Sequence, residues 1–143
     1  MRSSSYRRLL VLLDGTDRGE RALAWVRHLA RGPGSVIHLL MVEPAARPLR
    51  VSGRTVAFVD QLEDGARAAA GAYLGPVAAR LREDGVTVWT HARVGRLAQV
   101  TRAVIEELDA DVLVLTDGVA RPLPLHAAPI PVLMSGPRCR RSA

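Results

Sequence analysis

The chain has 143 residues, 48% of them apolar and 3% aromatic, and a formal charge of +6. Such a chain holds one domain with a substantial core, and its many Ala, Leu and Val with few aromatics disfavour a small all-β domain. The charge is no nucleic-acid stripe: six of the 20 arginines lie in residues 1–8 and 136–143, which hold no acid, whereas residues 9–135 carry 14 arginines against 14 acids.

Leu9 to Leu13 is apolar at five consecutive positions, a pattern that buries both faces of a strand. Asp17 and Glu20 have capping-box spacing ahead of a helix. In that helix Ala22, Val26, Leu29 and Ala30 repeat at helical spacing beside Trp25, and Gly32-Pro33-Gly34 ends it. SVIHLLMVEP, residues 35–44, predicts a second buried strand closed by Pro44. Residues 45–58, rich in Pro and Arg, read as a loop. From Asp60 to Glu83 the positions Leu62, Ala66, Ala69, Tyr73, Val77 and Leu81 form a helical stripe, stopped by Gly85.

VTVWTHARV, residues 86–94, alternates as a strand near a sheet edge does. Leu97 to Leu108 predicts a third helix with Leu97, Val100, Ala103, Val104 and Leu108 inward. DVLVLT (111–116) is a buried strand, and PVLMS (131–135) a short last one, entered through Pro131 as an edge strand tolerates. Between them residues 117–130 contain Pro122, Pro124 and Pro129, so a regular helix there is missing or reduced. Strands alternating with helices predict a single α/β domain over residues 7–135 with a parallel sheet, flanked by basic tails at 1–6 and 136–143.

The lone cysteine, Cys139, excludes an internal disulfide and suits a reducing compartment. No apolar run approaches the roughly 18 residues of a membrane span or a secretory core of about 7–15. The expectation is a cytoplasmic protein with no membrane or specific nucleic-acid partner.

The words "LLVLLDGTD", residues 9–17, place Asp14 at the carboxyl end of the first strand. Phosphatases with a D-x-D-G-T turn use the first Asp as nucleophile, and that position here is Leu12. A response-regulator receiver needs a Lys on its last strand, and this chain has none. Neither standard phosphate-cradling glycine motif occurs, nor H-E-x-x-H, nor G-x-S-x-G. His28, His38, His91 and His126 have no metal-ligand spacing and read as satisfied or surface residues. No catalytic or metal-binding residue is expected.

Five words in order carry a resemblance: LLVLLDGTDRGERALAWVRHLA, HLLMVEP, VTVWTHARVG, DADVLVLT and HAAPIPVLM. Together they resemble the universal stress protein family. The resemblance implies a Rossmann-like, five-stranded parallel sheet of the adenine nucleotide alpha hydrolase type, with strand order 3-2-1-4-5. It implies a dimer, and a sensor or adaptor rather than an enzyme. In ATP-binding members the matching positions Asp14 and Val42 contact the nucleotide. From the residues alone Asp14 is equally a turn cap beside Gly15.

The departure follows the fourth strand. ATP-binding members carry G-x-x-G, nine residues, then G-[ST]; here the segment is TDGVARPLPLHAAPIP, with Thr116 in place of the first Gly and Asp117 where phosphates would lie. Each charge-assisted bond to phosphate contributes about 1.5–3 kcal/mol. Losing two or three removes about 3–9 kcal/mol, against about 8 for a micromolar site. Asp14 and Val42 are then a vestigial site, and no cofactor is expected.

The resulting expectation is a non-enzymatic regulatory or adaptor protein of the stress response that does not bind ATP. It acts as a homodimer through Val132, Leu133 and Met134 on the last strand, with room for a further protein partner. The alternatives are a sensor of adenine nucleotides or other small ligands with non-standard phosphate contacts, and a hydrolase working at the Asp14 rim.

Overall fold

The computed structural model describes residues 6–30, 34–46, 49–116 and 129–135. Strand β1 (Arg8–Leu12) leads through helix α1 (Asp17–Leu29) to β2 (Val36–Glu43). A small pair, β3 (Leu49–Val51) and β4 (Arg54–Ala57), precedes the long helix α2 (Val59–Glu83). Then come β5 (Thr87–Val94), α3 (Leu97–Leu108), β6 (Val112–Thr116) and β7 (Val132–Ser135). The main sheet has the order β5-β2-β1-β6-β7 with every pair parallel. Counted along the chain within this sheet, that is 3-2-1-4-5, as expected. Among the described strands the edges are β5 and β7, and the consecutive apolar runs occupy the interior.

Those runs are apolar because both faces are covered. On one face Leu9, Val11, Ile37, Leu39, Val112 and Val114 pack against Val26 of α1 and Leu74, Val77 and Leu81 of α2. On the other, Leu10, Leu12, Leu40, Leu113 and Leu115 pack against Val104 and Ile105 of α3. The two faces follow from connection handedness: α1 and α2 carry the chain outward to β5, and α3 carries it back across the opposite side. Tyr6, assigned to the amino-terminal tail by sequence, packs on the first cluster, and its carbonyl accepts a bond from the Ser35 hydroxyl at 3.0 Å. At the amino ends of the strands, Asp111 accepts the backbone N–H groups of Arg7 and Arg8 at 2.8 and 3.0 Å, pinning β1 beside β6.

Three details differ from the sequence reading. Residues 45–58 are not all loop: β3 and β4 form an antiparallel hairpin turned by Ser52 and Gly53, with φ of 52° and 77°. Two successive positive φ values match the twist that a two-residue hairpin turn requires. In α2 the buried line runs through Ala70, Leu74, Val77, Ala78 and Leu81, and Ala69 is exposed. In α3, Ala103 faces out and Thr101 is buried. Alanine and threonine weigh little in a hydrophobic pattern, so the helix phase is set by the larger Leu, Val and Ile around them. The segment predicted to lack a helix (117–130) falls mostly outside the described residues, as do residues 1–5, residues 136–143 and Cys139. Among the described residues no helix is long and apolar enough to cross a membrane.

Candidate functional site

Open parallel sheets bind ligands at the carboxyl ends of their strands, beside the point where the connections reverse direction. Here that rim is formed by the ends of β1, β2 and β5. The direction of the connections reverses between β1, whose connection goes toward β2, and β6 on its other side.

Asp14 stands just beyond β1. Its Oδ1 accepts the Thr16 backbone N–H at 3.0 Å and the Thr16 hydroxyl at 2.6 Å. Gly15 between them has φ of 83°, and a Cβ there would lie 3.1 Å from Met41 Cε. This is an Asx-type turn that leads the chain into α1. Asp14→Ala is expected to lower stability by about 1 kcal/mol and Asp14→Asn by less, since the amide oxygen still accepts. Urea unfolding of the two variants checks this ordering.

Val42, at the end of β2, lines an open cavity of about 480 Å3. The other described residues that line it are Pro44 and Ala45 after β2, and Gly95, Arg96, Leu97 and Ala98 at the junction of β5 and α3. The size suits a small ligand. Gly95 makes the junction possible: its φ is 148°, its N–H donates to the Glu43 carbonyl at 2.9 Å, and a Cβ on it would lie 2.8 Å from Val100 Cγ2. Arg96 is the N-cap of α3, so the first helical N–H groups open toward this rim and, with the guanidinium, give the cavity mouth positive character.

The structure therefore separates the two residues singled out by sequence. Val42 lines the cavity; Asp14 does not, and its carboxylate is bonded to Thr16. The Gly95–Ala98 wall was not singled out, because its importance arises from where α3 starts relative to the end of β2. Among the described residues no group of three or more His, Cys, Asp or Glu converges to hold a metal ion.

Two of the histidines are not solitary. His38 Nδ1 on β2 and His91 Nε2 on β5 lie 3.0 Å apart. Burial, then the neighbouring His91 and Arg8, push the His38 pKa below its usual value. Burial and Arg93 push His91 the same way, opposed by Glu107. Their separation of 53 residues left no local signal of this pairing.

The universal stress protein family model matches residues 5–120. The chain belongs to the universal stress protein family. Among solved structures, this universal stress protein is similar to a family member from Burkholderia pseudomallei, at 26% identity and a TM-score of 0.72, covering 91% of this chain and 96% of the other. It is also similar to the Archaeoglobus fulgidus universal stress protein in complex with dAMP, at 22% identity and a TM-score of 0.66, with 90% and 97% covered. A third likeness is to an Arabidopsis thaliana family protein with AMP bound, at 16% identity and a TM-score of 0.67, with 93% of each chain covered. No curated protein is significantly similar to it.

Proposed function

We propose that this universal stress protein is a non-enzymatic, ligand-responsive regulator whose cavity takes adenosine or its monophosphates and takes ATP no better. One observation carries the reading: the described residues of the cavity wall are Val42, Pro44, Ala45, Gly95, Arg96, Leu97 and Ala98. Among these there is no hydroxyl, thiol, imidazole or carboxylate side chain to act as nucleophile or general base. An apolar wall with one guanidinium and a helix start at the mouth suits an aromatic base and a single phosphate. The dAMP- and AMP-bound relatives support that ligand class. The missing G-x-x-G…G-[ST] sequence argues against tight triphosphate binding.

The same proposal makes the protein a cytoplasmic homodimer joined through β7, which among the described residues pairs only with β6.

Isothermal titration tests the ligand reading. AMP and adenosine are expected to bind in the range of about 0.1–1 mM, or about −5.5 to −4 kcal/mol, with Mg-ATP no tighter than AMP. Val42→Trp, which fills the cavity, should abolish the AMP heat. A saturable micromolar isotherm for Mg-ATP would overturn this assignment.

A further inference from the structure

β2 and β5 run parallel with His38 opposite Trp89 and Leu40 opposite His91. Residues opposite each other share a face, so the two imidazoles are diagonal neighbours on the side of the sheet that α3 covers. They meet nearly head-on, with ring centroids 5.1 Å apart and facing nitrogens 3.0 Å apart. One ring donates and the other accepts, which requires one unprotonated facing nitrogen.

That requirement makes the pair a proton counter. Neutral, it holds one N–H···N bond. With one added proton an imidazolium donates to a neutral ring and the bond persists. With a second, both facing nitrogens carry hydrogen, and the bond is replaced by repulsion between two cations. The charged groups facing the pair do little to relieve this. Arg8 on β1 and Arg93 on β5 add positive charge; Glu107 on α3 opposes it but is already held by Arg93 at 2.9 Å. Asp109, at the end of α3, is held by Arg8 at 2.9 Å.

The position of the pair decides what its rupture would do. Among the described residues β5 is an edge strand whose only strand neighbour is β2. Its amino-terminal part is held on the other face by buried Val88 and by Arg82 of α2, which donates to the Val88 carbonyl at 2.6 and 3.2 Å. Trp89, on the His face, is 59% exposed and closes little. The segment from His91 onward is held by the β2 ladder, the histidine bond and the half-exposed Arg93–Glu107 pair, the last of which contributes little, and it runs directly into Gly95 and the cavity wall.

We propose that the His38–His91 bond is a proton-operated latch on the edge strand: a second added proton breaks it and loosens residues 91–95, and with them the Gly95–Ala98 wall. The sign follows from the depressed histidine values. A folded-state pKa below the unfolded 6.5 means that the stabilisation is complete above pH 6.5 and is lost as pH falls through the lower folded values. The latch is closed at neutral pH and open in acid, whatever the cavity binds.

The test needs no ligand. Histidine-ring NMR from pH 8 to 4.5 should show the two rings titrating as a coupled pair, in two steps, with the second below 6.5. Amide exchange, corrected for its intrinsic pH dependence, should show protection of residues 91–95 falling about tenfold between pH 7.5 and 5, the equilibrium equivalent of one lost hydrogen bond. Protection in α1 should hold. In His91→Gln, whose amide cannot charge, the fall should shrink to about twofold or less. Independent single-step titrations near 6.5 would overturn the latch, and they do so on the wild type even if the variant does not fold. An equal loss of protection in His91→Gln, or a loss spread evenly over the domain, would also overturn it.

Discussion

Gly95→Val is expected to destabilise the domain by about 3–5 kcal/mol and to abolish the proposed AMP binding at the cavity. Two costs combine. A φ of 148° lies where side-chain-bearing residues are strained by about 1–3 kcal/mol, most severely when β-branched. The new Cβ would also lie 2.8 Å from Val100 Cγ2, and overpacking of that kind costs about 1–3 kcal/mol. Val100 is in the first turn of α3, so relief of the clash displaces the helix start that forms one wall of the cavity. Gly71→Ala provides the control with opposite sign. It is an exposed glycine inside α2 with nothing within 4 Å of an added Cβ, and alanine there should stabilise by about 0.5–1 kcal/mol. Urea denaturation with unchanged m-values separates the two effects; a Gly95→Val midpoint within 0.5 kcal/mol of wild type would show that the junction tolerates a side chain.

What the sequence made legible, and what it concealed, follows the range of the interactions. β1, β2 and β6 were readable because burial on both faces leaves consecutive apolar residues, a one-dimensional signal. The exposed alternation of VTVWTHARV correctly predicted an edge, since among the described residues β5 pairs with β2 alone. The β3–β4 hairpin was hidden because its strands have three and four residues, too short for periodicity to appear, and Ser52-Gly53 is a weaker turn signal than Asn-Gly. Asp14 was visible as a carboxylate on a strand end, but its bond to the Thr16 hydroxyl depends on side-chain geometry that spacing does not encode. The histidine pair and the Gly95–Ala98 wall were invisible for a different reason. Both arise from the register of β5 against β2, a relation between segments 53 residues apart that no local window contains.

Met134→Pro is expected to convert the proposed homodimer to monomer while leaving the fold intact. Just before β7, the Pro131 carbonyl accepts from the Leu113 N–H at 3.0 Å, and the register pairs Leu113 with Val132 and Leu115 with Met134. A parallel ladder uses the backbone groups of alternate residues on each strand. Pro131, Leu133 and Ser135 therefore bond inward to β6, whereas the N–H and C=O of Val132 and Met134 point outward, to a side with no further strand among the described residues. Proline at 134 removes an outward donor and no inward one, and edge strands accept proline in that orientation. Leu133→Pro removes an inward donor, and it should unfold the edge and lower stability by about 3 kcal/mol. Charged residues at Val132 or Leu133 are a poorer test, because these half-buried side chains pack on the two core clusters and would perturb the interior. Sedimentation velocity at about 100 µM, where a dimer held by more than about 5.5 kcal/mol is populated, reads the outcome. Wild type should sediment as a dimer, and Met134→Pro as a monomer with wild-type circular dichroism. A wild type that is monomeric at that concentration, or a Met134→Pro variant that remains dimeric, would remove β7 as the joining edge.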